Sequence, residues 1–210
     1  MTSKCGMTIK RTLSAQKRLD ILSAAIKAFQ ENGFQATSMD QIALKAGVSK
    51  RTVYNHFNSK EALFTEITDK HWQQTLSATA YHYQSDRPLR EQLVEIAKQE
   101  LSLFESENYI GLARMIISEY IHSPELAKEA MLKISSTEGG LRCWLQAAID
   151  DQRLKEVDTT FATHQFLNLL KAFAFWPQVI GHSPKPGRQE AEEVITSAVD
   201  MFLGYYDARA

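Results

Sequence analysis

Along most of this 210-residue chain apolar residues recur at i, i+3, i+4 and i+7, the spacing of amphipathic helices rather than of strands. The first such stripe is Leu22, Ala25, Ile26 and Phe29, with Ser14 placed to cap its helix and Gly33 to stop it after about residue 32. Ser38, followed three residues later by Gln41, is a capping box for a second helix. That helix closes at Gly47, where a sharp turn needs the positive φ that glycine adopts freely. Ser49 caps a third helix, in which Val53 and Phe57 lie four apart and face inward. Ser59 caps a fourth, with Glu61 in its first turn favoured by the helix dipole, and the pattern carries it to about Tyr83.

Beyond Arg87 the period stays helical. Pro88 takes a tolerated first-turn position ahead of Leu89, Leu93, Ile96 and Leu101. Further helices are predicted over about 109–121, and from Pro124 with a break at Gly139-Gly140 before Trp144 and Ile149. Asp158 opens another, carrying Ala162, Phe166, Leu169, Leu170 and Phe173 over 158–177. The Gly- and Pro-rich stretch 181–187 is the clearest loop. The last helix, 190–206, aligns Ala191, Val194, Ile195, Ala198, Phe202 and Tyr205. The pattern therefore predicts an all-α protein of about nine helices without a sheet, divided into an N-terminal arm (1–13), a three-helix head (14–60) and a larger helical body (61–210).

Composition narrows the class. An apolar share of 44% with 23% charged residues is ordinary for a soluble globular chain. No segment approaches the roughly 18 uninterrupted apolar residues of a membrane span; the nearest, Phe166 to Ile180, contains Asn168, Lys171 and Pro177. The N-terminus lacks the apolar core of a signal peptide, so a cytoplasmic location without membrane partners is expected. Cys5 and Cys143 are too few and too far apart for a disulfide framework or a zinc site. Two reduced thiols are the plain reading, and a redox sensor built on an isolated cysteine is the alternative. Neither a nucleophile elbow, a phosphate-cradling glycine loop nor a metal-binding His pair is present, so no enzyme, cofactor or metal is expected. The net charge of −1 conceals an asymmetry: residues 1–60 carry ten Lys or Arg against three acids, and the rest of the chain carries 14 against 22. A basic head on an acidic body directs only the head to a polyanion.

Residues 33–64 say what that polyanion is. Two short helices meet at a tight turn, and the second presents Lys50, Arg51, Thr52, Tyr54, Asn55 and His56. A short polar helix braced by apolar neighbours suits insertion into the major groove of duplex DNA. Lys50 and Arg51 lie at its N-terminal end; Thr52 and Asn55 are short enough to reach base edges, Asn by bidentate pairing with adenine. Tyr54, His56 and Lys60 can donate to phosphates, and the N–H groups near Thr37 and Ser38 form a phosphate cradle at a helix N-terminus. Each has a plainer alternative. Tyr54 can be half-buried core, His56 can bond within the head, Lys60 can be a solvated charge, and Ser38 and Ser49 cap helices whether or not they touch DNA.

The run Ala24-Ala25-Ile26, Phe29, Gly33-Phe34, Thr37-Ser38, Ile42-Ala43, Ala46-Gly47-Val48-Ser49, Thr52-Val53-Tyr54-Asn55-His56-Phe57 and Ser59-Lys60-Glu61-Ala62-Leu63-Phe64 resembles the head of the TetR family of bacterial transcriptional regulators. Turn glycines, caps, core positions and outward polar residues coincide in order over roughly residues 14–70. The resemblance implies phosphate contacts from Thr37, Thr52, Tyr54, His56 and Lys60, with Lys50, Arg51 and Asn55 reading the operator. Arg51 departs from the small residue common there. The segment before Ser14, with Lys4, Lys10 and Arg11, is read either as a disordered tag-like end or as a basic arm ahead of the head.

The resemblance also implies an all-helical ligand-binding body that dimerises through its last two long helices as a four-helix bundle. The wide apolar stripes of 158–177 and 190–206 suit such an interface, with Phe166, Leu169, Leu170, Phe173, Ile195, Ala198, Val199 and Phe202 as its candidates, burial within one subunit being the alternative. A two-fold pair would meet a near-palindromic operator. The body is expected to hold a small apolar effector, with Phe104, Tyr109, Met115, Tyr120, Trp144, Phe175 and Trp176 as candidate lining, plain core being the alternative for each. The functional expectation is a repressor released by that effector. An activator or ligand-independent regulator of the same fold is the nearer alternative, and a helical protein-interaction module the more distant one.

Overall fold

The computed structural model describes residues 13–136 and 139–209, and every helix assigned below lies within them. There are eleven: α1 (Leu13–Asn32), α2 (Met39–Ala46), α3 (Lys50–His56), α4 (Lys60–Ala78), α5 (Leu89–Phe104), α6 (Glu107–His122), α7 (Pro124–Ser136), α8 (Gly140–Asp150), α9 (Thr159–Ala174), α10 (Trp176–Gly181) and α11 (Arg188–Tyr206). Among the described residues the one ladder contact outside helices is an isolated bridge between Leu154 and Asp207. The chain divides into two compact units within α4, after Asp69. The arm before Leu13, with Lys4, Cys5, Lys10 and Arg11, lies outside the described residues.

In the first unit three aromatic rings knit α1 to α4. Phe34 lies 5.1 Å from both Phe29 and Phe64, and those two are 6.4 Å apart. Ile42, Val53 and Leu63 are fully buried beside them. Burying each large apolar side chain contributes about 1.5–3 kcal/mol, so this cluster is what lets helices of eight and seven residues hold their shape. Arg18 forms a salt bridge with Glu66 while its guanidinium sits 4.7 Å from the Phe57 ring centroid. The sequence stripe of α1 is shifted: Ile21, Leu22, Ala24, Ala25, Ala28 and Phe29 are buried, and Ile26 is only half-buried. Ser14 does not cap α1, because the helix already includes Leu13.

In the second unit Leu89, Leu93, Ile96, Ala97 and Leu101 of α5 pack with Trp144, Leu145 and Ala148 of α8, Ala162, Phe166 and Leu170 of α9, and Ile195, Ala198, Val199 and Phe202 of α11. Phe166 and Phe202 meet edge to face at 5.2 Å. Three differences from the sequence reading have local causes. α4 ends at Ala78 rather than near Tyr83: the Thr79 N–H closes the last turn on the Leu76 carbonyl, and beyond it the Tyr81 hydroxyl bonds to Glu100. The 158–177 segment breaks at Phe175, which ends α9 and starts the short α10 with Pro177 in its first turn. On α11 the inward residue is Tyr206, four after Phe202, while Tyr205 is 69% exposed.

Candidate nucleic-acid interface

The turn between α2 and α3 is fixed by local chemistry. Gly47 takes φ +65°, the left-handed conformation that closes α2, and its N–H reaches the carbonyls of Ala43 and Leu44. The α2 capping box forms in both directions: Gln41 N–H donates to Ser38 Oγ at 3.2 Å, and Ser38 N–H donates to Gln41 Oε1 at 2.7 Å. At α3 the Thr52 N–H donates to Ser49 Oγ at 3.1 Å, and the two hydroxyls lie 2.8 Å apart. Val53 is fully buried under α3, so the helix has one fixed inward side and one outward side.

Arg51, Tyr54 and Asn55 form that outward side, at i, i+3 and i+4. All three are exposed, and among the described residues their side chains make no hydrogen bond or ion pair. Thr52 and His56 flank them, half-buried. Lys50 is exposed and pairs with Asp40 of α2 at 2.8 Å; that hydrogen bond and charge raise its ammonium pKa. Asp40 is a partner that sequence reasoning missed, although its place in the first turn of α2 marked it as an acidic residue at a helix N-terminus.

Thr37 and Lys60 face inward. Thr37 is 2% exposed, with its hydroxyl against the carbonyls of Gly33 at 2.7 Å and Ala28 at 3.2 Å, and its N–H on Phe34. With Ser38 and Gln41 also engaged, the N–H groups of Met39 and Asp40 are what α2 has left to offer an anion among the described residues. Lys60 donates to the carbonyls of Phe34 at 2.8 Å and Gln35 at 3.2 Å, and its ammonium sits 4.5 Å from the Phe34 ring centroid. Both residues lock the turn that connects α1 to α2.

In the body, four candidate lining residues form one aromatic row. Phe104 lies 6.0 Å from Tyr109 and 5.2 Å from Phe175, and Phe175 lies 5.0 Å from Trp176, itself 39% exposed. Trp144 is elsewhere in the core, 5.7 Å from Tyr83, with its indole N–H on Gln92 Oε1 at 3.1 Å. Met115 is buried and Tyr120 half-buried, both on α6. Of the candidate interface residues, Phe166, Leu170, Ile195, Ala198, Val199 and Phe202 are buried within the subunit. Leu169 is half-buried, and Phe173 is 56% exposed. Sequence reasoning also missed Glu100, Lys171 and Tyr81, a polar set inside the body. Glu100 falls on the same i, i+4 row as Ile96 and Phe104, which is the signal that could have found it.

Among the described residues no helix is long and apolar enough to cross a membrane, and no group of three or more His, Cys, Asp or Glu is placed to hold a metal ion. A capped helix-turn-helix with an outward polar face, on a chain whose other unit is wholly helical, defines a helix-turn-helix DNA-binding protein. Residues 21–67 match the family described as bacterial regulatory proteins, tetR family, and residues 91–208 match the AefR-like transcriptional repressor C-terminal domain. The chain belongs to the TetR family of transcriptional regulators, a family of DNA-binding proteins and not of enzymes.

It is similar to a TetR-family regulator of known structure from Pseudomonas syringae pv. tomato, with 43% identity, 93% of this chain and 99% of that one covered, and a TM-score of 0.82. The flavonoid-responsive regulator FrrA is 31% identical over 93% of this chain and 99% of its own, with a TM-score of 0.73. The transcriptional activator FasR of Mycolicibacterium smegmatis is 27% identical over 58% of this chain. The match spans about half the length of FasR, 54%, and under a third of other curated regulators.

Proposed function

We propose that this chain is a cytoplasmic homodimer that binds a near-palindromic operator in double-stranded DNA and represses transcription until a small, largely apolar effector releases it. The observation that carries the reading is the outward face of α3, where Arg51, Tyr54 and Asn55 stand unengaged on a helix fixed by its cap and by Val53. Asn55 and Arg51 read base edges, with Lys50 joining them once it leaves Asp40; Tyr54, Thr52 and His56 hold phosphates. Lys60 contributes the ammonium proton it does not spend on Phe34 and Gln35, and Thr37 acts through the turn it holds rather than by direct contact. Ser38 and Ser49 cap the two helices, so their first-turn N–H groups point toward the backbone of the duplex.

In this reading the DNA-binding domain spans residues 14–60 and the effector-binding and dimerisation domain 61–210. The dimer forms through the outer faces of α9 and α11. There Phe161, Phe173, Met201 and Tyr205 are 57%, 56%, 61% and 69% exposed, more apolar surface than a solitary pair of helices leaves to water without reason. Repression is supported by the match of the body to a repressor domain, and a small effector by the name of FrrA. Activation is the second reading, favoured by the match to FasR. Fluorescence anisotropy on labelled duplexes from the DNA flanking the gene, with reporter transcription measured with and without the protein, separates the two. Binding with lowered transcription supports repression, binding with raised transcription supports activation, and absence of any sequence preference contradicts both.

A further inference from the structure

The body sets a buried carboxyl, Glu100, and a half-buried amine, Lys171, one turn from its aromatic row. Glu100 on α5 lies one turn before Phe104, and Lys171 on α9 lies one turn before Phe175. The two rings are 5.2 Å apart, and one turn back along each helix the two charged groups interact electrostatically. Tyr81 donates its hydroxyl to Glu100 Oε1 at 2.8 Å. Tyr109 lies within electrostatic reach of Glu100, with its ring 4.5 Å from His71 and its hydroxyl 3.4 Å from Thr75 Oγ1. Among the described residues, the Lys171 ammonium has neither a hydrogen-bond acceptor nor a carboxylate within ion-pair distance. Thr163, eight residues earlier on the same face of α9, has a buried hydroxyl without a partner, and so does the indole N–H of Trp72 on α4. Native cores rarely keep unmade buried donors, and a charged one is the most costly to keep. The ammonium of Lys171 is the group here that an acceptor with negative charge would satisfy.

We propose that Lys171 and Glu100 form the polar end of the effector site and that the effector is an aromatic carboxylate, its anion held by the Lys171 ammonium and its ring lying against Phe104, Tyr109 and Phe175. The proposal rests on the effector-responsive reading above and names its ligand class. One ammonium and no arginine fork match a single carboxylate better than a phosphate, which takes bidentate donors. Burial biases Glu100 toward its protonated acid and lowers the Lys171 pKa; an incoming carboxylate favours the Lys171 ammonium and accepts from the Glu100 acid, while Tyr81 occupies the other Glu100 oxygen. The cavity of about 20 Å³ beside Phe104 and Ala174 is lined by Leu101, Glu105 and Gln178 rather than by Lys171 or Glu100, so binding at Lys171 requires the aromatic side chains to part.

The test is thermal melting and tryptophan-fluorescence titration of the full chain with benzoate, cinnamate and 2-naphthoate. Each is paired with its methyl ester and with the amine of the same skeleton. The expected result is that at least one acid raises Tm and binds roughly tenfold tighter than its ester, and that the amines do not bind. Lys171→Met, which keeps the stem as far as Cε and removes the charge, raises the Tm of the ligand-free protein and abolishes the acid-dependent shift; Lys171→Arg, which keeps the charge, retains part of it. Acids and esters that act alike, amines that bind best, or a Lys171→Met protein that binds the acid as the wild type does would each overturn the proposal. Operator binding is measured on the same preparation. If the wild type binds its operator while no acid acts, the ligand class is wrong and the regulator reading stands; if it binds no DNA, that reading fails first.

Discussion

Lys60 serves the turn after α1 before it serves DNA. Its ammonium holds two carbonyls and covers the Phe34 ring, so Lys60→Met is expected to lower the Tm of the protein as well as weaken its binding to every duplex. Asn55 has no such second duty. Asn55→Ala should leave Tm unchanged and relax discrimination at particular base pairs by about 1–3 kcal/mol, whereas Tyr54→Phe should weaken all sequences equally; binding to a panel of mutated operators separates the two patterns. His71 gives a pH dependence. Burial lowers its pKa, so the neutral ring is the folded form; the stability it lends is present above the ordinary imidazole range and is lost as pH falls through the lowered value. Wild-type Tm should therefore drop on acidification below about pH 6.5, and His71→Phe should flatten that part of the profile. Residues whose roles are local were legible in the sequence: Ser38, Gln41, Gly47 and Ser49 do what their spacing implies. Glu100 and Lys171 were not, because a charge inside an apolar stripe reads as an interruption until the neighbouring helix shows that it is enclosed.

At the scale of elements, helix identity followed from period and helix ends from contacts the period does not contain. The capping box and the left-handed Gly47 are set within a few residues, so α2 came out with its boundaries and α3 with its start, while Phe57, read as part of α3, is the extended residue that ends it. Just past the end of α4 the chain meets a distant glycine. A Cβ on Gly140, at the start of α8, would overlap the Thr79 carbonyl oxygen, so only glycine lets α8 begin there. Gly140→Ala is expected to destabilise the protein by about 1–3 kcal/mol, with a lower urea midpoint and little change in slope. Gly139→Ala next to it meets no atom within 4 Å and serves as the control, expected to stay close to wild type. A Gly140→Ala protein as stable as wild type would mean that α8 does not approach α4 this closely.

For the molecule as a whole, the apolar stripes of α9 and α11 combine two surfaces that a sequence cannot separate. Phe166, Leu170, Ile195 and Phe202 close the subunit's own core, while Phe161, Phe173, Met201 and Tyr205 remain outside it. Phe166 and Leu170, Ile195 and Phe202, and Met201 and Tyr205 all repeat at helical spacing, and only the position of the neighbouring helices sorts the inner pairs from the outer one. Phe173→Glu, on the outer set, is expected to yield a folded monomer by sedimentation that has lost operator affinity, since one recognition helix keeps only half of the contacts. Dimer formation by that variant would move the interface elsewhere. The central claim, a paired α3 reading DNA, is tested most directly by anisotropy titration of the purified protein on duplex pools from the flanking DNA across 50–200 mM salt. Saturation at two chains per site, sequence preference, and affinity that falls steeply with salt are the predicted results. Failure to bind any duplex, even at the lowest salt, would contradict the account.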